Sequence, residues 1–396
     1  MQNITKGEEH VRQLLKRVRD ANEAGRVQER DYRIREYLNS YDAKLQAVRR
    51  ANHQFKFNQR FSKGELRAIA ERLNPWKGTD EPVLVHLKRK PSNPDCFRTF
   101  MEFGIENRAL QYLVRRPLET LAEFEPYQYT IKGGVQAAIL HVMKAMSAGP
   151  VWAIELDVAD CYPSFDNDKL PSLIPLPKEV TDHVVVAHGL HLVPGNIQYH
   201  FGPTGNDDPG IPWELEKTLV DAQRGIPQGS ATSSLVAENM MAIALRKIPD
   251  GVGDRVAYGD NCLVMAKEKG GALTMIKALE GALECHPAGQ LRPKIEYFAP
   301  GQAIEFLGHS LTRKANGKIR VQASAKNREK FDSNVVAGLS SLQSSKLSKK
   351  AQKRQRGNLE RYVRSWSAAF SLCEGVDDLR TYWLKKITKV PVDFKS

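Results

Sequence analysis

The chain has 396 residues, 41% hydrophobic and 27% charged, a balance typical of soluble globular proteins and long enough for two or three domains or subdomains with a full core. Its 59 Lys and Arg exceed its 46 Asp and Glu, for a net charge of +13, which favours polyanionic partners. No apolar signal core opens the sequence, no apolar span reaches membrane length, and Cys96, Cys161, Cys262, Cys285 and Cys373 form no C-x-x-C pair. These features argue against a membrane protein, a disulfide framework or a zinc ribbon, and a cytoplasmic location is expected.

Residues 1–75 are charge-rich, with Val11, Leu14, Leu15, Val18, Leu38, Leu45 and Val48 at helical spacing. They predict two or three amphipathic helices, with Ser62-Lys63-Gly64-Glu65 starting another. This helical extension is either a structural cap or a contact for RNA or a second subunit. Pro82–Leu87 predicts a strand that runs into Lys88-Arg89-Lys90, a Pro- and Asn-containing turn, and Arg98. A basic finger of this kind can neutralise a triphosphate, and a solvated hairpin has the same composition. Ile105–Phe124 predicts a helix with a break or kink at Pro117. Tyr127–Gly134 is a turn feeding a helix over Val135–Met146, and Gly133-Gly134 either admits a template backbone or simply turns the chain.

The apolar run Val151–Val158 predicts a buried strand with Asp157 near its end, followed by Tyr162. Leu170–Val220 is hard to assign. His183, His188, His191 and His200 lack zinc-ligand spacing and are taken as helix and loop histidines, and Gly202–Pro212 reads as a loop. Arg224–Leu235 is a Gly/Pro turn entering a helix, its Ser and Thr residues suited to N-capping, with Leu235, Ala237, Met241 and Leu245 facing inward. Arg255–Met265 reads as a hairpin turning at Gly259, Asp260 and Asn261. One carboxylate at a strand end and another at a hairpin tip are what a two-metal phosphoryl-transfer site needs, with ions about 4 Å apart.

Gly270–Cys285 predicts an amphipathic helix, Leu291–Tyr297 a loop entering a strand, and Phe306–His309 a strand with a tight turn. Residues 312–396 hold 20 Lys and Arg against 7 Asp and Glu, which is the entire charge excess. This tail predicts strand structure near Gly317–Val321 and helices over Asn327–Leu342 and Lys350–Phe370. Tyr362, Trp366, Tyr382 and Trp383 lie among cations, either to stack on nucleic acid or to pack inward.

In this order, five segments resemble motifs of the reverse transcriptases. They are Asp157-Val158-Ala159-Asp160-Cys161-Tyr162-Pro163-Ser164-Phe165; Gly225-Ile226-Pro227-Gln228-Gly229-Ser230 with Ser233-Ser234-Leu235; Tyr258-Gly259-Asp260-Asn261; Lys294; and Phe306-Leu307-Gly308. The resemblance covers roughly residues 80–310. The helical extension, and the lack of segments similar to maturase, endonuclease or RNase H, most resemble bacterial retron-like enzymes. Closest in style are the "unknown group" and abortive-infection-like ones of anti-phage defence.

The resemblance implies an α+β right hand: a helical extension over 1–75, fingers and an antiparallel-sheet palm over 76–310, and a basic helical thumb over 311–396. Asp157, Asp260, the Val158 carbonyl and Asn261 would hold Mg²⁺, with Mn²⁺ as the alternative. Lys88 and Arg98 would meet the dNTP triphosphate, Gln228 and Gly229 the nucleotide and template, and Lys294 would protonate pyrophosphate. Tyr162 would exclude the ribose 2′-hydroxyl. Lys349, Lys350, Lys353, Arg354, Arg361 and Arg364 would grip nucleic acid. The implied activity is RNA-directed DNA synthesis on a non-coding RNA template, with DNA as product and a second subunit or homo-oligomer as further partner. Asn261 departs from the family's second Asp. The alternatives are untemplated or protein-primed DNA synthesis, an RNA polymerase, or a polymerase fold kept as a nucleic-acid-binding partner.

Overall fold

A computed structural model describes residues 5–90, 93–195, 212–343 and 348–390. The elements, in chain order, are α1 (Lys6–Glu23), α2 (Val27–Asn39), α3 (Tyr41–Asn52), α4 (Lys63–Arg72), β1 (Val83–Lys90), β2 (Asn93–Glu102), α5 (Ile105–Leu121), α6 (Gly134–Ser147) and β3 (Trp152–Ala159). Then come α7 (Cys161–Ser164), α8 (Lys178–Val184), β4 (Leu192–Pro194), α9 (Pro212–Ala222), α10 (Ser233–Leu245), β5 (Asp254–Tyr258), β6 (Asn261–Ala266), α11 (Lys269–Glu284) and β7 (Arg292–Phe298). The chain finishes with β8 (Ile304–Phe306), β9 (His309–Arg313), β10 (Ile319–Ala323), α12 (Ala325–Leu342), α13 (Lys349–Ala369) and α14 (Val376–Lys389). The protein is mixed α+β with largely antiparallel sheets. Among the described residues no helix is long and apolar enough to cross a membrane. Two compact units emerge: Met1–Glu125 with Val158–Lys247 and Leu279–Pro293, and Pro126–Asp157 with Ile248–Ala278 and Lys294–Ser396.

In the first unit, Thr5 and Ser62 each begin a helix with a reciprocal capping box, to Glu8 and Glu65, satisfying two orphan N–H groups at each start. Val11, Leu14, Leu15 and Val18 form the buried stripe of α1, and Leu38 and Val48 are buried beneath α2 and α3. β1 pairs antiparallel with β2 and parallel with β4, with Lys88 opposite Arg98. Val83, Val85, Met101, Phe103, Ala187, Leu190 and Ala222 make one core cluster.

Two local expectations are corrected here. The helix is not broken at Pro117: α5 runs through it to Leu121 with Pro117 buried. The proline removes one donor only, the one that the Leu113 carbonyl would otherwise accept from. Nor do Ser/Thr side chains cap α10: its N-cap Thr232 makes no capping bond. Instead Ser230 Oγ meets Thr232 Oγ1 at 2.9 Å and Ser233 Oγ donates to the Pro227 carbonyl at 2.7 Å. Leu235, Ala237, Met241 and Leu245 are buried as expected, but so are Val236, Met240, Ala242 and Ala244. α10 is therefore a core helix buried on more than one face, with Ser233 and Glu238 buried among its apolar residues.

The second unit is built on a four-stranded sheet ordered β5-β6-β3-β7 and a three-stranded sheet ordered β10-β9-β8. Ala153, Val256, Leu263, Met265 and Phe298 share one core with Ala138, Ile139 and Val142 of α6, and with Ile304, Phe306 and Leu311 of the smaller sheet. A separate cluster, Phe331, Val335, Leu342, Leu359, Val363, Trp383 and Ile387, binds α12, α13 and α14 together. Trp366 stacks between Phe331 at 4.0 Å and Phe370 at 4.6 Å, and Tyr362 stacks on Phe331 at 5.8 Å. Of the four tail aromatics, Tyr362, Trp366 and Trp383 thus pack inward, whereas Tyr382 is exposed beside Lys386.

Candidate active site

The second unit carries a row of polar residues at one end of its sheet. β5 and β6 close at Tyr258 and Asn261, leaving Gly259-Asp260 as a two-residue turn. Gly259 has φ +62 and Asp260 does not share a positive φ, the pattern of a type II′ hairpin, which needs glycine at its first central position. Across the next ladder Asn261 stands directly opposite Asp157. Directly opposed residues share a face with Cβ atoms about 5 Å apart. Tyr258, Asn261 and Asp157 therefore form a line across three strands, with Asp260 at the adjoining tip. The Asn261 amide donates to Asp260 Oδ1 at 3.3 Å.

The tip is held from a distant part of the chain. Tyr129 N–H donates to the Ala257 carbonyl at 3.0 Å, and Ala257 N–H donates to the Tyr127 carbonyl at 2.8 Å, so this stretch runs along β5. Gly259 N–H then donates to Thr130 Oγ1 at 2.6 Å. Lys294 lies exposed on β7, the strand beside β3.

Glu155 shares the face of Asp157, two residues back on β3. Burial first, then the charges of Glu296, Asp157 and Glu305, push its carboxyl up to about 7. Asp157, Asp260 and Asn261 offer only oxygen ligands from the carboxylates and one amide carbonyl, a hard donor set suited to Mg²⁺ or Mn²⁺ rather than a soft metal. Among the described residues no group of three or more His, Cys, Asp or Glu side chains is gathered to hold a metal ion. That includes His183, His188 and His191; His191 Nδ1 instead lies 3.1 Å from the Asp80 carbonyl. His200 and residues 202–211 lie outside the described residues, while Pro212 opens α9.

The first unit contains Tyr162, Gln228, Gly229, Lys88 and Arg98, and the second contains the α13 cations. After Val158, Asp160 adopts a left-handed conformation (φ 49, ψ 42) that short polar side chains tolerate, and the chain turns into the single-turn helix α7 carrying Tyr162. The Gly225 loop lies against it: Ile226 N–H donates to the Tyr162 carbonyl at 3.0 Å. Gly225 has φ +63, and a Cβ there would sit 2.0 Å from that same oxygen, so no other residue fits. Gln228 is fastened to β2, its carbonyl accepting from Met101 N–H at 2.8 Å, and Gly229 follows it.

A cavity of about 1060 Å³ in this unit is lined by Arg98, Lys169, Lys217, Arg224 and Arg292, with Asp160, Asp166 and Asp221, and by Gln228. Five cations against three carboxylates suit an anionic ligand. Arg98 and Gln228 are brought together there, whereas Tyr162 and Gly229 are not among its lining residues. Lys88 pairs with Arg98 in the ladder; its side chain lies outside the described ones, as does that of Lys349. On α13, Lys350, Lys353, Arg354, Arg361 and Arg364 are all exposed, opposite the inward Leu359 and Val363.

Thr130 and Glu155, and the lining cations Lys169, Lys217, Arg224 and Arg292, escaped the sequence reading. Thr130 is 129 positions from the amide it holds, and no local pattern announces such a bond. Glu155 could have been singled out as a charge inside an otherwise apolar strand. No protein-family model matches the chain, and no curated protein matches it.

Proposed function

We propose that the chain is a right-handed nucleic-acid polymerase that makes DNA on an RNA template. The observation that carries this reading is the ladder register setting Asp157 opposite Asn261, with Asp260 at the adjoining turn. The register sets two acidic residues 103 positions apart in the chain at the same end of one sheet. The mixed α+β fold, with Asp157 and Asp260 on an antiparallel sheet and a basic helical C-terminal cluster, supports it further. The defence role and the non-coding RNA rest on the sequence resemblance alone.

In this reading a primer hydroxyl oxygen bonds to the α-phosphorus of a dNTP while the bond from that phosphorus to the bridging oxygen breaks and pyrophosphate departs. Asp157, Asp260, the Val158 carbonyl and the Asn261 amide oxygen would hold Mg²⁺ or Mn²⁺. Ions bound there would supply neutralisation of charge developing on the attacking and leaving oxygens. Arg98 and Lys88 would neutralise the triphosphate, Gln228 and Gly229 would border the nucleotide, and Lys294 would give a proton to the leaving group. The Tyr162 ring would bar a 2′-hydroxyl by its bulk, and the exposed α13 cations would grip the nucleic-acid backbone.

Asn261 favours one second reading, because an amide in place of a carboxylate weakens an ion site: a polymerase fold that binds nucleic acid with little turnover. Incubating the pure chain with RNA, a DNA primer, Mg²⁺ or Mn²⁺ and each labelled nucleotide tests both. Templated dNTP incorporation that disappears in Asp157→Asn, with RNA binding retained, is the expected result. RNA binding without any product in the unsubstituted chain would favour the second reading, and loss of binding in Asp157→Asn would make that residue structural.

A further inference from the structure

Between α3 and α4 the chain forms a short loop that is closed on itself and holds a phenylalanine out into solvent. At its base Asn52, only 8% exposed, clasps Phe61 through both backbone groups: its amide donates to the Phe61 carbonyl at 3.2 Å, and Phe61 N–H donates to Asn52 Oδ1 at 2.9 Å. Within the loop Arg60 pins two further turns, its Nε donating to the Phe55 carbonyl at 3.1 Å and its Nη2 to the His53 carbonyl at 3.2 Å. Phe55 meets Phe61 edge-on at 6.3 Å and lies under the Arg108 guanidinium at 5.4 Å. A single 3₁₀ turn, Phe57–Gln59, forms the tip. Phe57 is 88% exposed there.

So much order around an apolar ring left in water calls for a ligand that covers it. The tip reads Lys56-Phe57-Asn58-Gln59, every one exposed: a cation, a ring face and two amides. Six Lys and Arg and no acid lie between Asp42 and Glu65, so the occupant is a polyanion. Aromatic faces stack unpaired bases, amide side chains read base edges, and lysine meets phosphate. We infer that this loop is a docking point for single-stranded RNA or DNA, with one base stacked on Phe57. An anionic bilayer would also accept the charge, but a lone phenylalanine flanked by two amides supplies too little apolar surface for stable insertion. The inference is independent of polymerase activity, since it needs neither Asp157 nor Asp260.

The test is fluorescence anisotropy of the full chain with a labelled 15-nucleotide single-stranded RNA, in EDTA and without nucleotides, across a salt series. Phe57→Ala should weaken binding about 5- to 150-fold, the range of one lost base stack, and leave the salt slope unchanged. Lys56→Ala should reduce that slope by about one unit. Phe57→Trp should bind like the unsubstituted chain and Phe57→Leu should behave like Phe57→Ala. Unaltered affinity in Phe57→Ala would overturn the inference, as would full binding by Phe57→Leu. So would sedimentation with phosphatidylserine vesicles that depends on Phe57. Unchanged melting of each variant excludes unfolding as the cause.

Discussion

Replacing Asn261 by aspartate tests the sheet-end site directly. The new carboxylate would sit where an amide now donates to Asp260 at 3.3 Å, and across the ladder from Asp157, about 5 Å away by strand geometry. Like charges about 4 Å apart repel by about 1 kcal/mol in water and about 4 kcal/mol at the effective dielectric of a protein surface. Asp157, Asp260 and Asn261 are all half-buried, which places the cost near 2 kcal/mol. For a unit of this size that is a melting temperature about 4–8 °C lower. A divalent cation between the carboxylates would reverse the sign, because a third negative ligand strengthens an oxygen site. Thermal denaturation of Asn261→Asp and the unsubstituted chain, in EDTA and over a Mg²⁺ and Mn²⁺ titration, should therefore show a less stable substituted protein without ions and a larger ion-induced rise in it. Equal melting in EDTA together with equal ion responses would refute the reasoning, since the three side chains could not then share one site.

Gly225→Ala should destabilise the first unit by about 2–4 kcal/mol, combining a forbidden φ with the clash against the Tyr162 carbonyl and loss of the Ile226 bond; chemical denaturation would show a lower midpoint, and an unchanged one would contradict the geometry. His286 is 5% exposed, with Nε2 3.0 Å from the Met240 carbonyl and Nδ1 accepting from Ala288 N–H at 3.1 Å. Burial holds its pKa below the usual 6.5 despite the Met240 bond, so the unfolded chain binds the proton more readily. Its contribution is intact above about pH 6.5 and lost as pH falls below that value. His286→Gln should flatten this part of the stability–pH profile, measured by denaturant titration between pH 5 and 8.

What could be read from the sequence is what is encoded locally. The β3 strand and the Gly259-Asp260 turn follow from a short apolar run and from residues that tolerate turn geometry. The capping box at Ser62 announced α4. Tertiary context overrode local rules elsewhere. Pro117 is accommodated inside α5, and the Thr232 hydroxyl meets that of Ser230 and makes no capping bond. The histidine-bearing stretch resisted assignment because α8, β4 and the 3₁₀ turn Leu170–Leu173 are too short to show periodicity. The candidate site divides along the same line. Asp157 and Asp260 could be singled out by position and residue type, but their closeness depends on a strand pairing across about a hundred residues. Thr130, which fixes the tip, has no sequence mark at all.

The pairing of β6 with β3 has one more consequence. Side chains alternate along a strand, so a slip of a single residue would bring Cys262 opposite Asp157 and turn Asn261 to the far side of the sheet. A thiol is a poor ligand for a hard ion, and the apolar neighbours Leu263 and Met265 would leave their core in the same movement. Misaligned chains would therefore be both unstable and chemically silent. Both faces of the strand centre are buried, so the partners of Cys262 and Val264 on one face and of Leu263 and Met265 on the other would be lost together.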